Sequence, residues 1–255
     1  MLPSLVQGNR DSYGKRTTLL GSPISKGFTE KRNEEMKILP KMFDGYLKFQ
    51  SLRRNSCTLL VGENNFKSWN PEKTLFEKFA VLFDNAEKSY NTFKAYGHIK
   101  NIENIILADG GYIKLDETYK FFANSMDVNV DPQQLAKIFL QCFTFIAKVV
   151  VPAMKKVGAD DFSMVAIYAL CLFKEDVADI SDKTRETISK IKEEIIRDLH
   201  IYYRNKGIEE TEVTIKICKI LLLIPTLEHV GRLFHENFYL VDLFSMLDVP
   251  IAYKK

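Results

Sequence analysis

Residues 162–173 read FSMVAIYALCLF and carry no charge. Phe162, Val165, Ala166, Ala169, Leu170 and Phe173 recur at helical spacing. Met164, Ile167, Tyr168, Cys171 and Leu172 fill the remaining faces. A helix apolar all round is either a membrane span or the centre of a sizeable core. This run rises about 18 Å, too little for a bilayer of roughly 30 Å. The chain is therefore expected to wrap other helices around it. Asp160 or Asp161 is placed to cap its start by accepting a hydrogen bond from an orphan N–H.

The rest of the chain can supply that wrapping, because 46% of its 255 residues are apolar and 12% aromatic. The net charge of +3 is small but uneven, since residues 1–41 hold eight Lys/Arg against four Asp/Glu. Gly8, Gly14, Gly21, Gly27, Pro3 and Pro23 mark residues 1–29 as a flexible basic tail, and residues 30–255 read as one helical domain. Cys57, Cys142, Cys171 and Cys218 stand at no metal-ligand spacing. Three of them lie in apolar helical runs, where a thiol acts as a small hydrophobe in a reduced setting. The N-terminus lacks an apolar segment of signal-peptide length, and no run is expected to span a membrane.

In chain order, an apolar stripe from Met36 to Phe49, interrupted by Pro40, predicts a helix from Glu30 to near Arg54. Glu72–Tyr96 is the strongest helical pattern, with Leu75, Phe79, Leu82, Phe83, Ala86, Tyr90 and Phe93 at a 3.6 period and Gly97 as its stop. Ile105–Ala108 and Tyr112–Leu115 flank Asp109-Gly110-Gly111, a hairpin signal. Asp131-Pro132 opens a further helix, which Pro152 is expected to kink or end. Ser181 or Asp182 opens a long helix on the narrow stripe Ile188, Ile191, Ile195, Leu199 and Tyr202, closed by Gly207. The final helix starts near Thr211 and is expected to kink at Pro225.

No catalytic constellation emerges. His98, His200, His229 and His235 are scattered, and His229 and His235 miss the i,i+4 spacing of a helical zinc pair. Gly110-Gly111 belongs to a hairpin and opens no phosphate loop. Asp160-Asp161 reads as a cap rather than a catalytic pair. An enzyme is not expected, and neither is a cofactor or a bound metal. The surplus of aromatic and aliphatic faces is either a core or the lining of a ligand site, and composition alone favours the core.

One resemblance sharpens these readings. KVVVPAMKKVGADDFSMVAIYALCLF resembles the approach to the eighth helix of a nuclear-receptor ligand-binding domain. TRETISKIKEEIIRDLHIYYRNKG resembles its ninth helix, and KICKILLLIPTLEHVGRLFHENFYLVDLF its long kinked tenth. The Asp109-Gly110 hairpin falls where that family has its small sheet. Val6–Asp11 looks like the extension after the second zinc finger in the divergent branch related to the hepatocyte nuclear factor receptors. The resemblance covers about residues 30–249. The fingers need eight closely spaced cysteines, which this sequence does not supply.

The resemblance implies an all-α, three-layer antiparallel helical sandwich with one small β-hairpin. It implies a nuclear, regulatory role in transcription, with a small apolar ligand such as a fatty acid among Phe79, Phe83, Leu107, Tyr112, Phe143 and Ile146. It also implies pairing with itself or other nuclear receptors through Ile215, Lys219, Leu222, Leu223 and Thr226. The alternative is a ligand-independent dimerisation modulator that titrates full-length receptors. DNA would be reached only indirectly, or through a domain outside this sequence, and no membrane is an expected partner. In the family a lysine on the third helix and an acid on the last grip a coactivator helix. Here Val61 stands near the lysine position, and Met246–Pro250 leads only to Ile251–Lys255, so the last activation helix is not expected and coregulators are not expected partners.

Overall fold

A computed structural model of the chain describes residues 35–59, 72–107, 110–123, 130–175 and 180–247. The tail at residues 1–29, Val61, Asp109 and Ile251–Lys255 lie outside them. The expected class holds: the described residues are helical apart from one small antiparallel hairpin.

The elements are α1 (Leu39–Leu59), α2 (Glu72–Tyr96), β1 (Asn104–Ile106), β2 (Tyr112–Lys114) and α3 (Thr118–Ala123). Then follow α4 (Pro132–Phe145), a π-turn (Ile146–Val150), α5 (Val151–Val157) and α6 (Asp161–Leu172). The last are α7 (Asp182–Asn205), α8 (Glu210–Leu221) and α9 (Leu223–Leu243). In the hairpin Ile105 faces Ile113 and Ile106 faces Tyr112. Gly110 sits at φ 85°, a conformation open to glycine without penalty.

Local chemistry sets the boundaries. Asp131 caps α4 by accepting the Gln133 N–H at 3.0 Å, with Pro132 in the first turn. Ser181 caps α7 by accepting the Thr184 N–H at 3.1 Å, and Gly207 at φ 77° follows that helix. Three expectations change. Pro40 does not interrupt the first helix but falls in its first turn, because α1 begins at Leu39. Pro152 does not end its helix. The Val151 N–H reaches back to Ile146 O across a widened π-turn, which makes room for the ring and the missing N–H of Pro152. The bend in the last helix falls at Leu222, since Pro225 gives Leu221 no N–H and its ring crowds that carbonyl.

A fourth expectation concerns membranes. The continuous run Pro132–Val157 is long and apolar enough to cross a bilayer by length and composition, contrary to the sequence reading. Its stripe Leu135, Phe139, Cys142, Phe143, Ile146, Val150 and Met154 is buried in the protein, the arrangement of a core helix.

The chain forms two compact units. One contains residues 80–156 and those from 225 onward; the other contains residues up to 79 (from 24) and 157–224. In the latter, α6 packs against α1, α7 and α8. Every residue from Phe162 to Cys171 is buried, as its all-round apolar pattern requires. Phe162 stacks on Tyr202 with ring centroids 4.2 Å apart, and Tyr46 meets Tyr168 at 5.5 Å.

The start of α6 is held by a capping box. Asp160 Oδ1 accepts the Ser163 N–H at 2.8 Å, and Ser163 Oγ accepts the Asp160 N–H at 2.9 Å. The same carboxylate accepts from the Tyr202 hydroxyl at 3.1 Å and the Lys206 ammonium at 2.9 Å. Lys206 also lies 4.2 Å from the Tyr202 ring centroid. Burial alone would raise the Asp160 carboxyl, but the Ser163 N–H and the Lys206 ammonium outweigh it and hold it below the ordinary carboxylate value. Burial first, then the Asp160 charge, push the Tyr202 and Tyr203 hydroxyls upward, so both stay protonated donors.

A depressed folded-state value means that the charged carboxylate favours folding. This contribution is full above about pH 4 and fades as pH falls below it. Urea melts of wild type and Asp160→Asn are expected to show a stability gap that is constant near neutrality and closes on acidification below about pH 4. A gap unchanged at about pH 3 contradicts the assignment.

Candidate functional site

The unit built from residues 80–156 and 225 onward brings α2, the hairpin, α3, α4 and α9 together. Thr92 on α2 docks the hairpin: its Oγ1 donates to Lys88 O at 2.8 Å and accepts the Ile106 N–H at 2.9 Å. β1 also packs against the π-turn. On α4, Phe139 meets Phe122 at 5.4 Å, Phe234 at 6.2 Å and Phe238 at 4.9 Å, and Phe143 meets Phe234 edge-on at 5.5 Å.

The residues expected to line a ligand site divide on this frame. Phe143 and Ile146 are buried on the run from α4 into the π-turn. Leu107 and Tyr112 are half-buried where the hairpin reverses. Of these four, Ile146 lies on the π-turn against which β1 packs. Phe83 is half-buried on α2 and projects, at helical pitch, from the side opposite Thr92 and the hairpin. Phe79, also half-buried, belongs to the other compact unit.

The expected pairing surface also divides. Ile215, Lys219 and Leu222 are exposed, Leu222 at 71%, and Thr226 is half-buried. Leu223 does not share that surface but is buried at 2%. The break at Leu222 ends one helical phase and begins another, so neighbouring leucines turn opposite ways.

A feature missed by sequence reasoning lies along α2. All residues from Asn85 to Thr92 are buried, and six of them are polar or charged: Asn85, Glu87, Lys88, Ser89, Asn91 and Thr92. The Lys88 ammonium donates to Asp84 Oδ2 and Asn85 Oδ1, both at 3.2 Å, and lies 4.6 Å from the Phe234 ring centroid. Asn237 on α9 donates to Ile138 O at 2.8 Å and to Cys142 Sγ at 3.0 Å. Burial pushes the Cys142 thiol up to about 12, against the pull of Asn237, so it is no nucleophile near neutral pH. Part of the signal was in the composition: Asn85, Ser89, Asn91 and Thr92 are short polar side chains, which pack in interiors better than long charged ones, while the burial of Glu87 and Lys88 left no mark in the sequence.

This interior of aromatic residues is crossed by buried polar groups, and among the described residues nothing in it assembles a nucleophile with a base. The described residues form an all-α fold with a lone hairpin, the architecture that the resemblance implies.

The comparison with known families is direct. The ligand-binding domain of nuclear hormone receptors matches residues 70–244, and the chain belongs to that family. Members of that family are generally ligand-regulated transcription factors rather than enzymes. The chain is 22% identical to the high zinc activated nuclear receptor protein of Caenorhabditis elegans, over 98% of this chain and 75% of that protein. It is also 22% identical to nuclear hormone receptor family member nhr-12 of the same organism, over 69% of this chain and 38% of that protein. For family member nhr-16 the identity is 23%, over 65% of this chain and 44% of that protein. The chain thus spans under half the length of those last two.

Proposed function

We propose that the chain is a nuclear-receptor regulatory domain that works in the nucleus and binds a small apolar ligand through Leu107, Tyr112, Phe143 and Ile146. It affiliates with the divergent branch related to the hepatocyte nuclear factor receptors, and it reaches DNA indirectly, through a partner or a domain outside this sequence. The observation that carries the ligand reading is the meeting of hairpin and π-turn beside buried Phe143 and Ile146. The name of one relative ties that protein to high zinc. Among the described residues no group of three or more His, Cys, Asp or Glu side chains is placed to hold a metal ion, so an organic ligand is the reading favoured here. Native mass spectrometry of the chain purified from animal cells tests it. The expected result is a non-covalent adduct of a few hundred daltons that organic extraction removes. A homogeneous, adduct-free mass contradicts it.

A second reading, dimerisation alone, is favoured by one observation. Ile215 and Leu222 present apolar side chains to solvent at 39% and 71% exposure, and neighbouring Lys219 is exposed too. In this reading the domain pairs with full-length receptors and titrates them. Leu222→Glu is expected to abolish co-precipitation with a receptor partner and leave the melting temperature unchanged, because the side chain is already in water. Undiminished co-precipitation by Leu222→Glu contradicts it.

A further inference from the structure

The continuous helical run Pro132–Val157 buries one side, along the stripe from Leu135 to Met154. Its other side has an uneven composition. Lys137, Lys148, Lys155 and Lys156 are exposed there. Leu140 and Val149 stand among them at 40% and 43% exposure. The run contains no Asp, Glu or Arg. Among the described residues none of the four lysines has an ion-pair partner. The charged helix α7 differs: Lys190 pairs with Glu186 at 2.6 Å, and Arg197 with Glu194 at 2.8 Å.

The fold gains nothing from this face. Four like charges along about 28 Å of helix repel one another. Apolar side chains left in water contribute no burial. The complement of such a face is an anion with apolar groups set between its charges. Nucleic acid fits poorly, because the run offers no arginine for bidentate phosphate contact and no exposed aromatic ring for a base to stack on. A bilayer fits poorly too, since Leu140 and Val149 are a small apolar payload with no exposed Trp or Tyr beside them on the run to anchor in the headgroups. A second copy docking through the same face would set lysine against lysine.

We propose that the exposed face from Lys137 to Lys156 is a docking surface for an acidic amphipathic helix of a partner protein. Leu140 and Val149 stand about 13 Å apart at helical rise. An opposing helix meets both with leucine-type side chains two turns or so apart, while its flanking Asp and Glu reach the lysines. Lysine suits this role, because its flexible stem lets a point charge follow a carboxylate on a partner of variable sequence. The surface uses side chains in water rather than the buried Phe143 and Ile146 of the ligand reading, so the two proposals stand or fall separately.

The test is fluorescence anisotropy of a labelled synthetic helix of about 20 residues, a leucine stripe flanked by glutamates, titrated with the full chain. Two control peptides carry lysine for glutamate or alanine for leucine. The first peptide is expected to bind at least about tenfold tighter than either control, and to weaken as salt is added. Lys137→Glu with Lys148→Glu is expected to weaken it at least about tenfold, and Leu140→Ala about threefold. Lys100→Glu with Lys183→Glu makes the same change in net charge at exposed positions elsewhere, and is expected to cost less than about twofold. All these positions are on the surface, and circular dichroism melts are expected to match wild type. Absence of binding, equal binding of the glutamate and lysine peptides, or equal losses in the two charge-reversed variants overturns the proposal. So does tighter binding of phosphatidylserine vesicles or of duplex DNA through the same lysines, or a homodimer that Lys137→Glu with Lys148→Glu dissociates in sedimentation.

Discussion

Asp198→Ala is expected to destabilise the protein by about 3 kcal/mol or more, one of the two largest single-site losses. Asp198 lies on α7 and is fully buried. Its carboxylate accepts the Lys37 N–H at 2.9 Å, the Ile38 N–H at 2.7 Å and the Leu39 N–H at 2.8 Å. These are orphan donors at the start of α1, where Ile38 offers no capping side chain. The charge also faces the positive end of the 21-residue α1 dipole. Removing the carboxylate leaves three donors without an acceptor, that of Leu39 buried and those of Lys37 and Ile38 part-buried. Asp198→Asn keeps the shape and some of the acceptance, and is expected to lose about 1–2 kcal/mol. Urea denaturation measures both. An alanine variant within about 0.5 kcal/mol of wild type shows that α1 does not depend on this cap.

Phe139→Ala is the other large effect, with an expected loss of about 3–5 kcal/mol. Phe139 is 1% exposed, and its ring sits among Phe122, Phe234 and Phe238. Truncation removes its buried area and opens a cavity whose aromatic walls cannot fully collapse. Phe139→Leu refills most of the volume and is expected to cost about 1–1.5 kcal/mol. Thermal melts with circular dichroism separate the two. An alanine variant that melts with wild type means that α3, α4 and α9 do not share this contact in solution.

These two residues show what a sequence discloses. Phe139 was legible, because it falls on the apolar stripe of a helix that Asp131-Pro132 announces. The all-round burial of Phe162–Cys171 was legible for the same reason: no polar face was left for water. Asp198 was not, since it reads as one more charge on a charged helix, and its partners are backbone groups about 160 positions away. Backbone donors leave no mark on side-chain pattern. The beginning of α1 was misjudged with it, because its cap is supplied by another helix rather than by its own sequence.

The candidate site was legible in part. The burial of Ile146 followed from periodicity, whereas Phe143 and Tyr112 entered only through the resemblance. The polar ridge on α2 was hidden by the usual assumption that polar residues on an amphipathic helix face water. Asn85, Lys88 and Asn91 violate it, and polar groups retained in a core are where function is to be sought. Leu223 went the other way because a proline acts a turn upstream of itself, so the change of helical phase precedes Pro225.

The central claim is that this domain regulates transcription through its own fold. The most direct measurement tethers the full chain to a heterologous DNA-binding domain and reads a reporter gene, with Phe139→Ala as the unfolded control. The account predicts a change in reporter output of at least about threefold, in either direction, that the Phe139→Ala variant loses. Output equal to that of the DNA-binding domain alone, from a wild-type chain present in the nucleus and folded, would contradict it.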